Sequence, residues 1–208
     1  MKQKILVLAP HTDDGELGCG GTIIKHMEEG AEIHIAVFSS CQQSVPNGYP
    51  ADILKTEFKM SMAEIGVPEK QQYLMDYPVR HFPEFRQDIL DEMIVLGRNI
   101  CPDIVMIPSP HDIHQDHSTV ANEAMRAFKK TCILGYELPW NNYTFNNQTF
   151  SVIEAHHVEK KIHALQHYKT QQMRNYFQPE YQWAIVRTHG AQINVQYAEV
   201  FETIRWIM

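Results

Sequence analysis

Two short clusters of metal-ligating residue types sit about a hundred positions apart, each directly behind an apolar run. The first, Pro10-His11-Thr12-Asp13-Asp14-Gly15-Glu16-Leu17-Gly18-Cys19-Gly20-Gly21-Thr22, follows Ile5-Leu6-Val7-Leu8-Ala9. The second, Pro110-His111-Asp112-Ile113-His114-Gln115-Asp116-His117, follows Ile104-Val105-Met106-Ile107. A hydrolytic zinc site needs three nitrogen or oxygen ligands and an open position for water, and two histidines with one carboxylate are a common set. A second carboxylate that stays off the metal can take the proton from that water. Asp13 and Asp14 are adjacent, and successive residues of extended chain point in opposite directions, so one can serve as ligand and the other as base. Asp is also a common helix N-cap, and either cluster alone reads equally well as a cap and a turn. Three histidines within seven residues, matched by the first cluster, favour one shared ion.

The pair of clusters resembles the PIG-L/LmbE family of zinc-dependent N-acetylglucosamine-type deacetylases. The family's first motif reads His-Pro-Asp-Asp-Glu, then a leucine and Gly-x-Gly-Gly-Thr; His11, Asp13, Asp14, Leu17, Gly18, Gly20, Gly21 and Thr22 fall in register with it. Its second motif, His-Pro-Asp-His, is matched by His114, Asp116 and His117. Weaker echoes continue in Lys161, Leu165, Tyr168, Thr170 and Gln171 and in Tyr197-Ala198-Glu199-Val200-Phe201-Glu202. The resemblance implies that His11, Asp14 and His117 bind one zinc ion, or another divalent transition metal, and that Asp13 is the general base. It implies that His114 stabilises an oxyanion or protonates a leaving amine, with Asp116 orienting an imidazole. Thr12 and Gln115 stand where the family has proline, and Gly15 where it often has glutamate. None of these changes removes a ligand or the base.

Such a site must be held by strand ends. Ile5 to Ala9, Glu32 to Phe38, Tyr73 to Met75, Asp103 to Ile107 and Ile133 to Glu137 read as strands. Between them lie helices opening at Gly20-Gly21-Thr22 and stopped by Gly30, then about Asp52 to Ile65, Pro83 to about Ile100, and Thr119 to Lys129. Further on, Phe150 to Glu154 reads as a strand, His157 to Tyr168 and Glu180 to Thr188 as helices, and Glu199 to Trp206 as a last strand or helix. This alternation predicts an α/β fold: a Rossmann-like, open, mainly parallel sheet with helices on both faces, in one domain spanning 1–208. Ligands of such sheets bind beyond the carboxyl ends of the strands, which is where both clusters fall. The glycines at 18, 20 and 21 lack the spacing of a dinucleotide fingerprint, and a role in letting the first helix approach the sheet fits them better.

Composition excludes several classes. A chain of 208 residues with 44% hydrophobic residues is ample for one core. A net charge of −7 without a basic block argues against nucleic acid. No apolar stretch approaches the roughly 20 residues that span a bilayer, and Met1-Lys2-Gln3-Lys4 leads straight into strand-like sequence, so the expected location is the cytoplasm. Cys19, Cys41, Cys101 and Cys132 are widely spaced, which suits reduced and mostly buried thiols.

Two residues are candidate substrate contacts. Arg80 lies just past a strand end and could bind a sugar hydroxyl or a phosphate, with a surface salt bridge as the alternative. Trp140 could stack on a sugar ring, with an aromatic loop anchor as the alternative. His156, His157, His163 and His167 show no metal-site pattern and read as helix-surface histidines. The expected activity is removal of an acetyl group from an amino-sugar moiety, free, nucleotide-linked or conjugated, by metal-activated water. The acetamide and the sugar come from the resemblance alone. Alternatives are a metal-dependent hydrolase of another amide or ester, or a non-catalytic sugar- or metal-binding protein. The expected partner is a small molecule, and a homo-oligomer is compatible with the sequence.

Overall fold

Ile5-Leu6-Val7-Leu8-Ala9 has no polar side chain to offer a surface. In the computed structural model, which describes residues 2–208, it forms the buried part of β1 (Lys4–Ala9). There follow α1 (Asp14–Glu28), β2 (Glu32–Val37), α2 (Ile53–Ile65), β3 (Gln72–Leu74), α3 (Arg86–Ile100), β4 (Ile104–Pro108), α4 (Gln115–Ala127) and β5 (Cys132–Tyr136). The chain closes with β6 (Thr149–Val152), α5 (Ala155–Leu165), α6 (Pro179–Gln192) and β7 (Ala198–Arg205). One sheet holds all seven strands in the order β3-β2-β1-β4-β5-β7-β6. The first five are parallel, whereas β7 runs antiparallel to both β5 and β6. The fold is therefore the open, mainly parallel α/β sheet expected, extended by an antiparallel edge.

Alternation along β1 divides the core. Ile5, Val7 and Ala9 face α1, α2 and α5, where they pack with Leu17, Ile23, Phe58 and Leu165. Leu6 and Leu8 face α3 and α4 and pack with Ile89, Met93, Val120 and Ala124. Burial on both faces explains why β1 reads as a continuous apolar run. The chain leaves β1 in one direction through β2 and β3, then returns to β1's other side as β4. The loops after β1 and β4 consequently part at the switch point of the sheet, the usual crevice for a ligand.

Two helix starts differ from expectation by four residues or more. α1 begins at Asp14, not at Gly20-Gly21-Thr22, and bends at Cys19, whose backbone leaves the helical region at φ −147° and ψ 25°. Leu17 C=O and Gly21 N–H, the two ends of a helical bond spanning that bend, have other partners. Lys161 Nζ donates to Leu17 O at 2.8 Å, and Gly21 N–H donates to Glu199 Oε1 at 3.0 Å. Glu199 also accepts from Thr22 N–H at 2.7 Å and pairs with Lys161 Nζ at 2.8 Å. A buried ion pair thus satisfies the groups that the bend exposes. A Cβ on Gly18 would lie 2.3 Å from the Tyr136 ring, so that glycine permits a close helix–sheet approach. α4 begins at Gln115, four residues before Thr119, and so carries Asp116 and His117 in its first turn.

The four cysteines are free, but only Cys19 and Cys41 are buried; Cys101 is exposed and Cys132 half-buried. Among the described residues no helix is long and apolar enough to cross a membrane.

Candidate metal centre

The sharp exit from β1 brings His11 and Asp14 to one side of the crevice, and the exit from β4 into α4 brings His117 to the other. His11 Nδ1, Asp14 Oδ2 and His117 Nε2 form a triangle with edges of 3.1, 3.2 and 3.1 Å. In a tetrahedral zinc site with bonds of about 2.0–2.1 Å, ligand atoms stand roughly 3.3 Å apart. The donor set and its spacing therefore fit such an ion. His11 N–H holds Asp14 Oδ2 from behind at 2.8 Å.

Each imidazole is backed by its own carboxylate. His11 Nε2 lies 3.0 Å from Asp116 Oδ2, and His117 Nδ1 lies 2.7 Å from Asp112 Oδ2. Donation to these carboxylates leaves His11 Nδ1 and His117 Nε2 as the lone-pair nitrogens facing the triangle, the tautomers a metal needs. Asp116 was expected to orient an imidazole. Asp112 has no assigned role in the sequence motifs, although two histidine ligands call for two such partners and its place in the second cluster is a usable signal. Replacing Asp112 by Asn should weaken zinc affinity about 10–100-fold without unfolding the protein. A competition titration against a chelator would measure this, and an unchanged affinity would remove Asp112 from the site.

Charge sorts these groups. Burial disfavours the His117 cation, but Asp14 and Asp112 outweigh that and raise its pKa to about 10. Burial pushes the Asp14 carboxyl up, yet His117 and His11 outweigh it and hold Asp14 well below the usual range. Asp13 behaves in the opposite way: burial first, then the charge of Asp14, raise it to about 6. His114 lines the same pocket and caps α4, its Nδ1 accepting Asp116 N–H at 3.2 Å. That bond puts the ring proton on Nε2. Burial, with His117 and His11 nearby, lowers the His114 pKa to about 4, so the ring is neutral at pH 7.

The later sequence echoes support these loops. Tyr168 Oη donates to Thr12 O at 2.5 Å and lies 2.7 Å from Glu16 Oε1. Thr170 binds Glu57 through both its N–H and its hydroxyl, at 3.0 and 2.6 Å. Glu199 holds the bend in α1, and Glu202 accepts from Ser109 Oγ at 2.6 Å, just ahead of the second cluster. Glu16, beside the Gly15 departure, is buried between Ser61 and Tyr168, and burial raises its carboxyl to about 7.

A pocket of about 400 Å³ opens over the triangle, lined by His11, Asp13, Asp14, His114 and His117 and also by Arg80, Trp140, Arg174 and Tyr176. Arg80 forms no ion pair among the described residues; its Nη2 donates to Ser44 Oγ at 3.2 Å. Trp140 stacks on Tyr176 at 3.8 Å and 9° between planes, so one face of the indole is already covered. The pairing makes Trp140 an aromatic anchor that also borders the pocket.

His163 is exposed and His167 half-buried, in line with surface histidines. His157 departs from that expectation. It is buried, its Nδ1 accepts Glu154 N–H at 2.8 Å, and its Nε2, like that of His156, lies 3.0 Å from Glu28 Oε2. The three side chains converge closely enough to be a possible ligand group, as do His11, His114 and His117 in the pocket. However, an imidazole accepting at Nδ1 carries its proton on Nε2, so metal at Nε2 would cost the helix cap. The cluster instead ties the end of α1 to the start of α5.

The model of the family described as GlcNAc-PI de-N-acetylase, PIG-L, matches residues 6–128, more than half of the chain and the stretch holding both clusters. The chain belongs to the PIG-L family. It is 27% identical over 123 residues to the diacetylchitobiose deacetylase of Thermococcus kodakarensis, covering 55% of this chain and 45% of that protein. The chain thus spans less than half the length of that relative. It is 26% identical over 175 residues to the uncharacterized deacetylase YaiS of Escherichia coli, covering 81% of this chain and 92% of that one. The solved N,N'-diacetylchitobiose deacetylase of Pyrococcus horikoshii superposes with a TM-score of 0.80 at 22% identity, covering 97% of this chain and 84% of that chain. At that identity the superposition establishes a shared fold.

Proposed function

We propose that this PIG-L chain is a zinc-dependent hydrolase that removes the acetyl group from an N-acetylated amino sugar. The observation that carries the reading is the triangle of His11 Nδ1, Asp14 Oδ2 and His117 Nε2 with the unligated Asp13 in the same pocket. Membership of a de-N-acetylase family and likeness to deacetylases supply the acetamide and the sugar. His11, Asp14 and His117 would hold the ion, which when bound supplies Lewis acidity and lowers the pKa of water toward about 7.

The remaining chemistry falls to side chains of the chain. Asp13 makes no hydrogen bond to another side chain among the described residues, so its carboxylate is free to accept a proton as water attacks the amide carbonyl. His114 keeps its proton on Nε2 and presents a neutral donor to the developing oxyanion, a contribution that can reach 10²–10³ in rate for one donor. Being neutral, it is a poor acid for the amine. Asp13, carrying the proton it took, returns it to the nitrogen as the carbon–nitrogen bond breaks, leaving acetate and the free amine. Asp116 and Asp112 act on the imidazoles behind which they sit. We also read residues 1–208 as one domain, because the segments after α4 complete the supports of the site.

The test is release of acetate and amine from N-acetyl sugars, free, nucleotide-linked and conjugated, by zinc-loaded protein. Turnover should vanish after chelation and return with zinc. If no acetate appears from any of them under metal loading, the hydrolase reading fails.

A further inference from the structure

Cleavage of an acetamide makes a demand that Asp13 and His114 do not meet. The carbonyl oxygen has His114, and Asp13 takes and returns the proton. The amide also carries an N–H, and a donor that leaves water for a pocket needs an acceptor there. Asp14 is turned to both imidazoles, at 3.1 and 3.2 Å, and Asp13 must stay open to water. Two amide side chains, Asn141 and Gln171, also line the pocket. Gln171 is buried and turned toward α2: its Nε2 donates to Thr170 Oγ1 at 3.1 Å, and that hydroxyl binds Glu57 Oε2 at 2.6 Å.

Asn141 is half-buried in the loop between β5 and β6. Its Nδ2 donates to Asp112 Oδ2 at 3.4 Å, the oxygen that His117 Nδ1 reaches at 2.7 Å. Asp112 also accepts His114 N–H through Oδ1 at 2.8 Å. A carboxylate among three donors is an acceptor only, so the Asn141 amide must turn its NH₂ to Asp112. Its Oδ1 is left as a neutral acceptor, with no partner among the described residues. The backbone holds this group still. Asn141 N–H donates to Leu138 O at 2.8 Å, and Asn142 Oδ1 accepts Leu138 N–H at 2.9 Å. Across the gap, Asn141 C=O accepts Ile113 N–H at 3.2 Å, and Asp112 and Asn142 form an antiparallel bridge. The loops after β4 and β5 thus move as one, and Asn141 keeps its place beside the residues that hold His117.

We propose that Asn141 Oδ1 accepts the N–H of the scissile acetamide and so selects amides over esters. The proposal rests on the deacetylase reading for the reacting bond. An amide offers a donor to Oδ1, whereas an ester offers an oxygen lone pair that repels it, and a site built around a substrate N–H discriminates against the analogue that lacks one. Holding the N–H also fixes the direction in which the nitrogen lone pair develops as the carbon becomes tetrahedral. That lone pair takes the proton Asp13 returns.

The experiment compares kcat/KM of zinc-loaded wild type, Asn141→Leu and Asn141→Asp on an amide and an ester. The amide is N-acetylglucosamine or diacetylchitobiose, whichever turns over faster, and the ester is 4-nitrophenyl acetate. Asn141→Leu should lower the amide-to-ester ratio by about tenfold or more. Asn141→Asp keeps an oxygen in place and should keep most of the ratio, even where the added charge beside Asp112 slows both reactions. A merely structural role for Asn141 would lower both rates together. A ratio unmoved in Asn141→Leu, or lost equally in Asn141→Asp, overturns the proposal while leaving the deacetylase reading intact. If wild type cleaves no N-acetyl sugar, that reading has failed, and calorimetry with uncleaved N-acetylglucosamine decides the contact alone. Binding that weakens in Asn141→Leu upholds it, and binding that is absent or unchanged refutes it.

Discussion

His11→Ala and His117→Ala should each strip most of the zinc from the protein. Either change leaves two protein ligands, and two hold a divalent ion poorly where structural and catalytic zinc sites use three or four. Each also leaves a buried carboxylate, Asp116 or Asp112, without the imidazole it binds, so the variants should melt at lower temperature as well. Metal content after gel filtration is the direct readout. Full occupancy in both variants would sink the ligand assignment. The wild-type site carries a related pH dependence. In the metal-free protein His117 is raised to about 10, so it holds a proton at pH 7, and that proton must leave when Nε2 takes a metal. Zinc uptake at pH 7 should therefore release protons, and affinity should rise with pH. Titrations in buffers of different ionisation enthalpy would detect the release.

The strand framework was legible because β1, β2 and β4 are buried on both faces and leave apolar runs in the sequence. The ends of β1 and β4 could be located for the same reason, and with them His11, Asp14 and His117. Helix starts were harder. Gly18, Gly20 and Gly21 disfavour helix interiors, so the sequence opens the first helix only at Gly20-Gly21-Thr22. The structure instead runs a helix through them, because Lys161 and Glu199 satisfy the bend and Tyr136 fills the space a side chain would take. These partners lie more than a hundred residues away, beyond any local pattern. The same distance hid the meeting of Glu28 with His157 and of Thr170 with Glu57. Placement of β7 between β5 and β6 is likewise a long-range choice. Arg174 carries no sequence signal, because nothing in Gln171-Gln172-Met173-Arg174 points to a pocket until α5 and α6 set that segment in the same lining as Asp13.

Asp13 and Asp14 are chemically alike, yet the fold gives them different surroundings, and substitution by asparagine should separate their roles. Asp14 Oδ2 faces both imidazoles at 3.1 and 3.2 Å and is held below the ordinary carboxylate range by their charge. Asp14→Asn should therefore weaken zinc itself and regain part of its activity when excess metal is supplied. Asp13 touches neither imidazole in this way, and burial with the charge of Asp14 raises it to about 6, close to the value that suits a base working near neutrality. Asp13→Asn should keep its zinc and lose activity by roughly 10²–10⁴-fold, the range of a general base. The sign of the pH dependence follows from the same group. A base works deprotonated, so wild-type kcat/KM should fall on the acid side, with its midpoint at or below about 6 because a bound cation draws the carboxyl down. Asp13→Asn should lack that limb. Metal loss in Asp13→Asn with metal retention in Asp14→Asn would reverse the two assignments. Acetate release undiminished in both variants would overturn the mechanism, since among the described residues no other carboxylate lines the pocket to take the proton.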